Sequence, residues 1–147
     1  MNEFNQARFT ALVAENVPEQ ATREAIFDLL DFSHENALKV VGGQDSKTFH
    51  YIVINKVGSS MLFYCDSSGS VQIALGNFPQ LRQSVVIRYV RRLGALSPAF
   101  RYIQRFEDKR VKGGTQSFYI KETLVNPKIM AVFKKWVLEL QQQIPFV

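Results

Sequence analysis

The residues best suited to chemistry in this chain are arginines. Between Arg82 and Lys112 lie nine Lys or Arg and two acids, Glu107 and Asp108. On a helix turning about 100° per residue, Arg88, Arg91 and Arg92 fall within one arc of about 100°. Val85, Val86, Tyr89, Val90 and Leu93 take the opposite side. Arg101, Arg105, Lys109, Arg110 and Lys112 follow, interleaved with Phe100, Tyr102 and Phe106. A guanidinium is planar, stays charged and donates two parallel hydrogen bonds to a phosphate. Rings beside it can stack on unpaired bases. Arg88, Arg91, Arg92, Arg101, Arg105, Lys109, Arg110 and Lys112 are therefore the candidate nucleic-acid contacts. Two other readings of the same residues stand beside this one: a solvated face whose aromatics point inward, and a docking surface for an acidic protein.

A second stripe has the opposite sign. Glu24, Asp28, Asp31 and Glu35 sit at i, i+4, i+7 and i+11, within about 60° of a helix surface. Like charges at that spacing repel by a few tenths of a kcal/mol per pair. They are either solvated or compensated by the Arg88, Arg91 and Arg92 stripe, within one molecule or between two. A single helix rarely converges its carboxylates into a closed metal site.

The remaining reactive residue types are isolated. His34 and His50 lack a second His or Cys at ligand spacing, although either has the unperturbed pKa of a general base. Cys65 adjoins Asp66, whose charge would raise the thiol pKa, so a structural cysteine is expected. Gly42-Gly43 and Gly113-Gly114 read as turns, and neither belongs to a phosphate-binding glycine motif. Two-metal hydrolysis would need strand carboxylates beside a lysine. Asp45 and Asp66 fall in expected loops, and the strand at 71–75 holds no acid or lysine. No catalytic residue, metal ligand set or cofactor is expected.

The elements that must carry these side chains follow from periodicity. A short helix is expected over about 3–14. A second should begin at an Asn16 N-cap, with Pro18 in its first turn, and run to about Glu35 on Ala25, Ile26, Leu29, Leu30 and Phe32. The period then shortens. Leu38–Val41, Phe49–Ile54, Met61–Cys65 and Val71–Leu75 read as strands separated by turn chemistry at Gly58-Ser59-Ser60 and Asp66-Ser67-Ser68-Gly69. Connections this short require antiparallel pairing, so residues 38–76 form a β-meander. Helical spacing returns from Leu81 to Leu96, and Ser117–Ile120 adds one more strand. Asn126 and Pro127 open a closing helix that buries Ile129, Phe133, Trp136, Val137, Leu140 and Ile144. The expected fold is α+β, with residues 1–147 as one domain. An antiparallel meander of four to five strands packs against N-terminal and C-terminal helices.

Bulk properties bound the function. The 147 residues are 46% apolar and 21% charged, ordinary globular usage for one domain. The net charge of +5 is unevenly spread. Residues 1–80 hold five Lys/Arg against nine acids, and residues 81–147 hold thirteen against four. Such asymmetry points to an anionic partner or to two halves that face each other. A single cysteine excludes an internal disulfide and fits a reducing compartment. No apolar run approaches the roughly 18 residues of a membrane span, and Met1–Glu15 lacks signal-peptide character. A cytoplasmic location without membrane contact is expected.

One further pattern is carried by Leu62-Phe63-Tyr64, Gly69-Ser70-Val71-Gln72-Ile73, Asn77-Phe78, Lys109-Arg110, Ser117-Phe118, and Phe133, Trp136, Val137 and Ile144. From about Val17 onward it resembles a family of small bacterial α+β proteins without assigned function. The resemblance implies the fold and carries over no active site. The function expected from the residues is a non-catalytic accessory or regulatory domain binding an anionic partner, nucleic acid foremost. A protein-interaction module or homodimer with complementary helix faces is the second reading. A small-ligand binder or enzyme is the third.

Overall fold

The computed structural model describes residues 2–55, 58–75, 78, 81–100 and 116–144. Arg101, Arg105, Lys109, Arg110 and Lys112, with Tyr102, Phe106 and the Gly113-Gly114 pair, lie outside the described residues. The order is β1 (Asn2–Glu3), α1 (Gln6–Asn16), α2 (Gln20–Asn36), β2 (Lys39–Gly42), β3 (Thr48–Asn55), β4 (Gly58–Asp66) and β5 (Ser70–Ile73). Then come α3 (Gln83–Gly94), β6 (Gln116–Tyr119) and α4 (Pro127–Gln143). The strands form one sheet in sequence order, β1-β2-β3-β4-β5-β6. Every neighbouring pair is antiparallel. The α+β meander is as expected, extended to six strands by Asn2–Glu3, a segment too short for any periodicity to reveal.

Strand alternation divides the sheet into two faces. Phe49, Tyr51, Phe63, Cys65, Val71, Ile73 and Phe118 are buried on one of them. Helices cover that face: Phe9 of α1 meets Phe49 edge-on at 5.5 Å, Phe32 of α2 stacks on Tyr51 at 6.1 Å, and Phe133 of α4 meets Phe63 at 5.9 Å. The other face carries His50, Tyr64, Gln72 and Ser117, aligned across the ladder.

Local chemistry explains the boundaries. Asn126 caps α4 by accepting from the Lys128 and Ile129 backbone N–H groups at 2.9 and 3.4 Å. The Asp66–Gly69 turn closes as expected, with Gly69 at φ +95°, a left-handed conformation that glycine adopts without strain. Two expectations are corrected. Asn16 is the last residue of α1, not the cap of α2, which starts after Glu19 with no side-chain cap. Arg23 instead reaches back to the carbonyls of Val17 and Pro18 at 2.9 and 2.8 Å, holding the short link between the helices. Gly58-Ser59-Ser60 is not turn but the start of β4, paired with Asn55, Ile54 and Val53.

Candidate anion-binding surface

The α3 sequence sorts itself by period. Val86, Tyr89, Val90 and Leu93 are buried, while Ser84, Arg88, Arg91, Arg92 and Ala95 are exposed. Every third or fourth position faces the core, so Arg88 and Arg91 project away from it together. Arg91 and Arg92 also stand in the last turn, where positive charge complements the unsatisfied carbonyls of the helix end. Along this side runs a shallow open groove of about 660 Å³, lined by Ser84, Ile87, Arg88, Arg91, Arg92 and Ala95.

Tyr89 ties this surface to the interior. The Arg88 and Arg92 guanidinium carbons lie 5.8 and 5.2 Å from its ring centroid, within cation–π range. The ring meets Trp136 edge-on at 6.1 Å, and the Trp136 indole N–H donates to the Tyr89 carbonyl at 2.8 Å. Reading the sequence as a two-sided helix counted Tyr89 only as an apolar contact. Its place one residue after Arg88 and three before Arg92 was the available signal.

The three α3 arginines are not equivalent. Arg92 donates to the Glu139 carboxylate of α4 at 2.7 Å, with both side chains part-exposed. Its charge is thereby largely answered within the chain. Arg88 and Arg91 are exposed as well. Phe100, expected to stand beside the cations, is buried against Phe118 at 4.7 Å and belongs to the core.

The acidic stripe is real, and α4 separates it from the arginines. Glu24, Asp28, Asp31 and Glu35 are all exposed on α2. Lys134 of α4 donates to both Asp28 carboxylate oxygens, at 2.8 and 2.9 Å. Lys134 and Glu139 project about 140° apart around their helix, one toward α2 and one toward α3. Asp28 and Arg92 thus each take their partner from α4 and not from each other. Beside the Asp28–Lys134 pair, Ala21, Ala25, Leu124 and Met130 line a second groove, of about 380 Å³.

The other reactive residues take structural places. Cys65 is fully buried, and burial, then the Asp66 charge, push its thiol far above the usual range. His50 stacks on Tyr64 at 5.2 Å with Nε2 2.8 Å from the Thr48 hydroxyl, while its Nδ1 is buried without a hydrogen-bond partner among the described residues. Burial lowers its pKa. A Cβ at Gly43 would collide with the Thr48 hydroxyl and displace it from His50. Neither groove described above is lined by His34 or His50. Among the described residues, no three His, Cys, Asp or Glu side chains group as metal ligands would, and no helix is long and apolar enough to cross a membrane.

No family model matches the chain, and no curated protein or solved structure matches it either.

Proposed function

We propose that this chain is a non-catalytic binding domain that holds a polyanion, nucleic acid foremost, on the outward side of α3 and the basic run that follows. One observation carries the reading. Arg88 and Arg91 project together from a helix without a single acid, and no Asp or Glu occurs from Arg82 to Phe106. An approaching phosphate chain therefore meets no carboxylate on that helix. With Phe100 in the core, the described part of the surface suits phosphate contacts over base stacking, so little sequence preference follows. A reducing, cytoplasmic setting suits the lone thiol.

Release of counterions by two to seven phosphate contacts gives log Kd a dependence on log salt of about 2 to 6. Fluorescence anisotropy with single-stranded and duplex oligonucleotides at several salt concentrations measures it. The R88E/R91E double variant should bind at least about tenfold more weakly at low salt. Affinity indifferent to salt, or unchanged in that variant, would sink the reading.

A further inference from the structure

The groove between α2 and α4 shares no lining residue with the arginine groove. Ala21 and Ala25 of α2 and Ala131 of α4 line it, and side chains that short leave the seam between the helices open. Leu124 and Met130, both buried, add to its apolar lining. Its volume of about 380 Å³ lies within the range of small binding pockets, about 300–1,000 Å³.

One border of this groove is acidic. Glu24 and Asp28 line it, and Asp31 and Glu35 continue their stripe along α2, all four exposed. Asp28 is paired with Lys134. Glu24, Asp31 and Glu35 enter no ion pair among the described residues. Contacts across the seam show that it extends past the groove. Lys134 meets Asp28, and the Gln141 amide donates to the Asn36 carbonyl at 3.5 Å, pairs 106 and 105 residues apart. The partners advance together along both helices, so α2 and α4 run side by side in the same direction there. From Glu24 to Glu35 the stripe is about 16 Å long. On the α4 side, Leu138 lies one turn beyond Lys134 and is 38% exposed.

An apolar groove with an acidic border complements a ligand that is apolar and cationic at once. Repulsion from the same border turns away acidic and polyanionic ligands. A helix of about three turns spans the stripe, and an amphipathic one presents apolar anchors and cations in adjacent rows. We infer that the α2–α4 seam binds a basic amphipathic helix of a partner protein. An apolar side chain of that helix seats among Ala21, Ala25, Ala131 and Met130, and its Lys or Arg side chains meet Glu24, Asp31 and Glu35. The seam does not depend on polyanion binding at α3, and either site can fail without the other.

Fluorescence anisotropy of the full chain with a labelled amphipathic helical peptide of Leu, Lys and Ala tests this, together with methyl NMR. Binding should shift the methyl signals of Ala21, Ala25, Ala131 and Met130. E24Q/D31Q/E35Q should weaken binding at least about fivefold, since exposed ion pairs are individually weak and three are lost. A21Q/A131Q, which puts longer polar side chains into the groove, should weaken it to a similar degree. All five positions are exposed, and circular dichroism verifies the fold of each variant. The same peptide with every Leu replaced by Ala keeps its charge and loses its anchor, so it should bind at least about tenfold more weakly. Spermidine, a cation without an apolar anchor, should likewise bind more weakly than the parent peptide. A peptide that does not bind, or binds without moving those methyl signals, overturns the inference. So does affinity indifferent to the three neutralisations, or matched by the Leu-free peptide or by spermidine.

Discussion

Replacing Trp136 with Phe tests how firmly α3 is fixed to the core. Trp136 is the only tryptophan of the chain and is 1% exposed. It stacks on Phe133 at 5.8 Å and 16°, meets Tyr89 edge-on, and donates its indole N–H to the Tyr89 carbonyl at 2.8 Å. A phenyl ring can keep the stack but not the hydrogen bond. Losing that bond costs about 1 kcal/mol, because the carbonyl also sits within the α3 backbone ladder and is not stranded. The indole also fills space that a phenyl leaves empty, by roughly two carbon-sized groups at about 0.8 kcal/mol each. The sum is about 2.5 kcal/mol, or a fall in Tm of about 5–10 °C for a chain of this size. Thermal melts followed by circular dichroism measure it, since the variant has no tryptophan fluorescence. A W136F chain melting within about 1 °C of the parent would refute the claim that this hydrogen bond is buried and formed.

Two further outcomes follow from the titratable groups. Burial holds His50 below its ordinary pKa, so the folded chain prefers the neutral ring and the unfolded chain takes up the proton first. Stability from this group is complete above about pH 6.5 and declines as the pH falls below it. Urea midpoints at pH 7 and pH 5 should therefore differ less in H50Q than in the parent, and an equal drop in both removes His50 as the cause. Cys65, buried with its pKa raised, should not react with a thiol reagent in the folded chain and should react fully in denaturant. Rapid native-state labelling would contradict the packing of β4 against the helices.

The parts of the fold legible in the sequence were those decided by neighbours a few residues apart. Asn126 and Pro127 announce α4 because cap and first turn are adjacent, and the alternation in β3 and β5 announces the meander because period 2 is local. The link between α1 and α2 was misread for the same reason. Asn16 stands three residues before Glu19 at capping distance, yet the hydrogen bonds that organise the link come from Arg23 to the Val17 and Pro18 carbonyls. The arginine face of α3 was legible as a wheel, but its charge balance was not. Arg92 and Glu139 meet only because α4 packs beside α3, a contact between residues 47 positions apart that no local pattern encodes. Phe100 shows the same limit, since only tertiary packing decides whether a ring between cations faces solvent or Phe118.

The sheet itself has little to offer a further strand. Among the described residues, one border is β1, two residues long, and the other is β6, four residues long and followed at once by a tight helical turn over Ile120–Glu122. Such brief rims expose few backbone donors and acceptors in a row, which is how β proteins avoid templating fibrils at their margins. Among the described residues, lateral strand addition thereby finds only a short run of backbone to pair with at either border. Tyr119, the last residue of the β6 border, is exposed.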